Sequence, residues 1–206
     1  MSHATDALPA GQMMLPPADA ESGSGVYSSK LGMWIFLLSE VMFFTALIGS
    51  YIILRFSKPD AWGAPGTVLN IPVTAVNTFI LICSSVTMVK AYAAAADGRQ
   101  QALRLWLVAT VLIGATFVGV QVYEYYHLIH DHFLPSSGLY GTTFYTMTGF
   151  HGFHVTMGVL CMIFVTWRAF KGAYTVKDHR GVEVIGLYWH FVDLVWIILF
   201  TIVYLI

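Results

Sequence analysis

Apolar residues run in five long stretches, approximately Leu31–Leu54, Ile71–Tyr92, Leu103–Tyr126, Tyr140–Trp167 and Val184–Ile206, broken by short polar or Gly/Pro-containing connections. Each exceeds the roughly 20 residues needed to cross a hydrocarbon core, and a bilayer interior accepts only helices or closed barrels, because backbone groups find no water there. Barrel strands would be about half as long and would alternate. The pattern therefore predicts an all-α integral membrane bundle of five transmembrane helices. Within four of the stretches stand a few ionisable side chains: Glu40, Glu124, His151, His154, His190 and Asp193. Such groups are costly against lipid tails, so they should face protein or a wet cavity.

Composition narrows the class without changing that picture. The chain is 57% hydrophobic and 10% charged over 206 residues, which leaves no room for a second sizeable domain. Its net charge of -1 and dispersed basic residues argue against nucleic acid as a partner. Cys83 and Cys161 fall inside apolar stretches and indicate neither a disulfide framework nor a zinc ribbon. Residues 1–28, with Pro9, Pro16, Pro17, Asp19, Glu21, Gly23 and Gly25, read as a mobile tail preceding a single transmembrane domain over 29–206.

Charge also orients the chain. Five spans put the N-terminal segment and the second and fourth connections on one side, which holds Lys30, Lys90, Arg99, Arg104, Arg168, Lys171, Lys177 and Arg180, while the other holds Arg55 and Lys58. Basic residues accumulate on the cytoplasmic side, so the N-terminus is expected inside and the C-terminus in the periplasm. The cluster His127, His130, Asp131 and His132 then faces outward, as a solvated loop or, alternatively, a metal site.

Counting about 1.5 Å per residue from the basic end places Glu40, His154, His190 and Asp193 at similar depths. His151/His154 and His190/Asp193 are each three apart, so each pair shares a helix face. A single buried cluster is expected, open to three readings: a metal site, a haem site with His154 and His190 as axial ligands, or polar groups that satisfy one another and fix helix neighbours. Glu124 lies near the outer end of its span, beside Tyr125 and Tyr126. Thr148, Gly152 and Thr156, four apart, form a small-residue face where another helix can approach closely, and Asn77, Thr78, Ser84 and Ser85 supply interhelical hydrogen bonds.

Six strings in order carry a resemblance. Ser39-Glu40-Val41-Met42-Phe43-Phe44, Asn77-Thr78, Glu124-Tyr125-Tyr126, Tyr140-Gly141-Thr142-Thr143-Phe144, Thr148-Gly149-Phe150-His151-Gly152-Phe153-His154-Val155 and Tyr188-Trp189-His190-Phe191-Val192-Asp193-Leu194-Val195-Trp196 resemble subunit III of the haem-copper terminal oxidases, from about Lys30 onward. The resemblance implies the short five-helix form, without the first two helices that border a lipid cleft in the seven-helix form. It implies a non-catalytic subunit of a proton-pumping respiratory oxidase that reduces oxygen to water, in a bacterial inner membrane. Haems and copper would lie in partner subunits and none in this chain, which would pack on subunit I, beside subunit II and others, hold phospholipid, and support stability and proton uptake. By the same resemblance Glu40 is the family's buried helix carboxylate, with His190 and Asp193 as its expected partners. Cytochrome c is the expected donor, a quinol the alternative, and a stand-alone membrane metalloenzyme the reading from a different class.

Overall fold

The computed structural model describes residues 27–62, 69–136 and 138–205. The segment expected as a tail lies outside them except for Tyr27 and Ser28. Five helices follow one another up and down: α1 (Ser28–Ser57), α2 (Ile71–Ala96), α3 (Gln100–His130), α4 (Leu139–Phe170) and α5 (Arg180–Phe200), the last continuing through a π-helical turn at Thr201–Leu205. All five are long and apolar enough to cross a membrane. Among the described residues there is no strand.

Local chemistry sets the ends. At the start of α2, Asn70 accepts a bond from the Val73 amide at 3.4 Å, and Pro72 sits where a helix needs no donor. Gly98 and Gly172 end α2 and α4 with φ of 74° and 73°, a region glycine enters without a Cβ penalty. Both ends close with paired bonds, Gly98 N to Ala95 O with Arg99 N to Ala94 O, and Gly172 N to Ala169 O with Ala173 N to Arg168 O. His132 closes α3 in the same way at φ 59°.

α5 is the central helix, packed against α1, α2 and α4, whereas α1 lies at the periphery and turns most of its apolar surface outward. The centre is built around Trp189. Its indole is fully buried, its Nε1 donates to Ser84 Oγ of α2 at 2.9 Å, and its ring lies against Gly114 of α3 and Gly158 of α4. A Cβ added to Gly114 would stand 2.7 Å from Trp189 Cη2, and one on Gly158 3.1 Å from Cε3 and Cζ3. One side chain thus ties four helices together. Trp196, two turns on, repeats the device, donating from Nε1 to Thr78 Oγ1 at 2.9 Å.

The alternating helices place the eight basic residues Lys30, Lys90, Arg99, Arg104, Arg168, Lys171, Lys177 and Arg180 at one end of the bundle. There Lys30 pairs with Glu183 at 2.6 Å, joining α1 to α5, and Tyr27 donates to the other Glu183 oxygen at 2.8 Å. Burial first, then that bond to a carboxylate, push the Tyr27 hydroxyl above the usual tyrosine range. Lys171 over Trp167 and Lys90 over Trp106, 3.8 and 4.5 Å from the ring centroids, anchor this rim.

Candidate functional site, the polar groups within the bundle

The ionisable residues fall into separate groups rather than one cluster. Glu40 of α1 meets His154 of α4, Oε2 to Nε2 at 3.0 Å, not His190 or Asp193 as expected. Those two face α2 instead, where Ser85 Oγ donates to Asp193 Oδ2 at 2.6 Å and lies 3.3 Å from His190 Nδ1. Glu40 and His154 do meet across α1 and α4, but His190 and Asp193 are directed to another helix. α5 stands between α1 and α2, so a polar stripe facing α2 is turned away from Glu40. His151 and His154 share a face, both rings lying against Phe44, but they are not bonded to each other.

At the Glu40–His154 pair the proton position is constrained. His154 Nδ1 lies 2.7 Å from the Phe150 carbonyl, which only accepts, so Nδ1 carries a hydrogen and Nε2 faces Glu40. Either the acid donates to neutral Nε2, or imidazolium donates to carboxylate, and one shared proton makes the bond. Both side chains keep about a sixth of their surface open. Glu40→Gln preserves a donor to Nε2 and is expected to leave the stability of the bundle nearly unchanged. Glu40→Leu strands the imidazole and is expected to cost about 1–3 kcal/mol, read as a lower temperature at which the chain dissociates.

His151 is fully buried, stacked on Trp196 with centroids 4.8 Å apart and edge-on to Phe44 and Phe117 at 6.3 Å. Among the described residues neither of its ring nitrogens has a partner. Glu124 lies near the opposite end of the bundle from the basic rim, accepting from Thr74 at 2.9 Å and from Tyr204 in the π-helical turn at 3.1 Å. It therefore joins α2, α3 and the end of α5. Asn77 donates to the Phe117 carbonyl at 3.3 Å, and Thr78, Ser84 and Ser85 all bond across helices, as their spacing suggested.

On α4 the small-residue face is real over two of its three positions. Thr148 shares a hydroxyl bond with Tyr125 of α3 at 2.6 Å, and its carbonyl accepts from Gln121 at 3.0 Å. A Cβ on Gly152 would lie 3.0–3.3 Å from the Gln121 amide. Thr156 instead is exposed and caps its own helix at the Gly152 carbonyl, 2.7 Å away. Steps of four advance roughly 40° beyond a full turn, so the third residue has rotated off the interface. Gly158 thins the same helix, as a glycine beside that face should, but Gly114 and the role of Trp189 were not visible in advance, since a lone glycine in a helix carries no sign of the ring that fills it.

The donor set does not assemble a metal centre. Among the described residues no three His, Cys, Asp or Glu side chains come together in a metal-holding group, including at His127, His130, Asp131 and His132. His154 and His190, the pair considered for axial ligation, are bonded to Glu40 and Ser85 on different helices.

The comparisons with known proteins agree with one another. A family model described as cytochrome c oxidase subunit III matches residues 24–206. A probable cytochrome c oxidase subunit 3 of Nocardia farcinica is 40% identical over 175 residues, covering 85% of this chain and 86% of that protein. The cytochrome c oxidase subunit 3 of Synechocystis is 42% identical over 192 residues, 92% of this chain and 81% of the other. The probable subunit 3 of Mycobacterium leprae is 43% identical over 178 residues, with coverages of 86% and 87%.

Proposed function

The chain belongs to the cytochrome c oxidase subunit III family, and from that premise we propose how it serves its complex. It is an integral membrane protein and the non-catalytic subunit III of a haem-copper oxidase. In the proposal it packs on subunit I beside subunit II, supports that subunit's stability and proton uptake, and leaves haem, copper and the oxygen chemistry to its partners. Electrons come from cytochrome c, and the complex couples their transfer to proton translocation in a bacterial inner membrane.

The observation that carries this reading is where the buried polar groups go. Glu40, Glu124, Asp193, Thr78, Ser84 and Ser85 bond to residues of neighbouring helices and so specify which helix lies beside which. That is the design of a scaffold. Phospholipid filling the groove between α1, α4 and α5, beside Met33, Cys161, Phe164 and Arg180, belongs to the same proposal, since an apolar trough with a cation at its rim suits an acyl chain under a phosphate.

Orientation is the part most readily tested. In the proposal the N-terminus lies in the cytoplasm, a reading supported by eight basic residues at one end against Arg55 and Lys58 at the other. An alkaline phosphatase reporter fused after Ile206 is expected to be active in the periplasm, and a cytoplasmic readout would overturn the assignment of the two faces.

A further inference from the structure

The Ser85, His190 and Asp193 group has a way to the surface through His190. A groove of about 220 Å3 runs between α2 and α5, lined by Val89, Tyr92, Val182, Glu183, Gly186, Leu187 and His190. Its lining runs from the basic end, where Glu183 lies in the first turn of α5 and Tyr92 near the last turn of α2, to His190 two turns farther along α5.

Hydrogen-bond bookkeeping fixes how this group handles a proton. Ser85 has one hydrogen and gives it to Asp193 Oδ2, so toward His190 its oxygen accepts, and His190 Nδ1 carries the hydrogen. A neutral imidazole protonated at Nδ1 has its lone pair on Nε2. Among the described residues His190 Nε2 has no partner and lies at the groove, whereas Asp193 Oδ1 is sealed and has none either. The Asp193 residue is 6% exposed, so its anion is poorly solvated and a proton relieves it. The other titratable groups around this stripe are engaged elsewhere: Glu183 with Lys30 and Tyr27, Tyr92 against His179 at 5.7 Å, and Glu40 with His154.

We propose that Ser85, His190 and Asp193 form a proton-storage site that exchanges with water at the basic end of the bundle through the groove between α2 and α5. The step balances: a proton from groove water binds His190 Nε2, the Nδ1 proton passes to Ser85 Oγ, and the former Ser85 proton passes to Asp193 Oδ2. His190 ends neutral in its other tautomer and Asp193 ends as the acid. Ser85 is the positioning residue, since it relays without titrating. The site deepens the proposed role in proton uptake and rests on it.

Infrared difference spectroscopy on the purified, intact oxidase tests this. A protonated-carboxyl signal that disappears in Asp193→Asn is assigned to Asp193, and its shift is then timed after the solvent is switched from H2O to D2O. Ser85→Ala keeps both titratable groups and is expected to slow that exchange about a hundredfold, the low end of what a positioned acid–base group contributes to proton transfer. Ser85→Thr restores a hydroxyl and should exchange near the wild-type rate, and His190→Gln supplies the same slow arm if Ser85→Ala does not assemble. The proposal is overturned if no carboxyl signal is lost in Asp193→Asn, or if an assembled Ser85→Ala or His190→Gln complex exchanges at the wild-type rate. Either result, in a complex that still purifies with its haem, leaves the subunit assignment untouched. A chain that purifies without haem would instead overturn that assignment.

Discussion

Trp189→Ala is expected to be the most damaging single truncation in the chain. The indole is fully buried at the meeting point of α2, α3, α4 and α5, and removing a large aromatic from such a core costs about 3–5 kcal/mol in transfer and cavity terms. Ser84 loses the donor at its hydroxyl, a further effect of about 1 kcal/mol. Van der Waals packing and interhelical hydrogen bonds hold a membrane bundle together where the hydrophobic effect does not, so no other contact makes good the loss. The expected result is a chain that dissociates from its complex at lower temperature or detergent stress. Trp189→Phe, which keeps a ring but gives up the Ser84 bond, should fall between. Unchanged retention of Trp189→Ala would mean that the four helices are held by contacts outside this centre.

Gly114→Val is expected to be nearly as severe, for the reciprocal reason. Its first side-chain carbon would stand 2.7 and 2.9 Å from two atoms of the Trp189 ring, closer than real contacts allow, and 3.1 Å from Val159. The ring is hemmed in by Gly158 on its other flank and cannot swing clear. α3 and α4 must therefore part from α5, a cost of the overpacking kind of about 1–3 kcal/mol or more. Because the clash and the ring are one contact, Trp189→Leu should partly rescue Gly114→Val, so the two substitutions together cost less than their sum. Strict additivity of the pair, scored by retention of the chain in the complex, would contradict this packing.

How much of this the chain announces depends on the length scale. The five helices and their up-and-down order follow from apolar runs that each extend within a few residues of the observed helix, and the positions of Asn77, Thr78, Ser84 and Ser85 mark interhelical bonds that are found. Depth in the membrane is legible too, since rise per residue is fixed. Azimuth is not. Which helix stands opposite Glu40 depends on the arrangement of all five, and counting along each one separately cannot distinguish His154 from His190. The Trp189 centre was hidden for a different reason: Gly114 carries no signal, Gly158 and Ser84 mark only close packing and a hydrogen bond, and what unites them is the ring they share. His151 is fully enclosed, and among the described residues neither of its ring nitrogens has a partner.

As the subunit III of a haem-copper oxidase, the chain should be found with the haem- and copper-bearing subunits. Capture of the tagged chain in mild detergent, followed by a reduced-minus-oxidised optical spectrum of the eluate, addresses that directly. The expected result is co-purification of larger membrane subunits with haem absorbance and bound copper, both of which disappear when the chain is stripped from its partners and examined alone. Iron or a haem band retained by the isolated polypeptide, or an eluate from intact membranes with no haem at all, would contradict it.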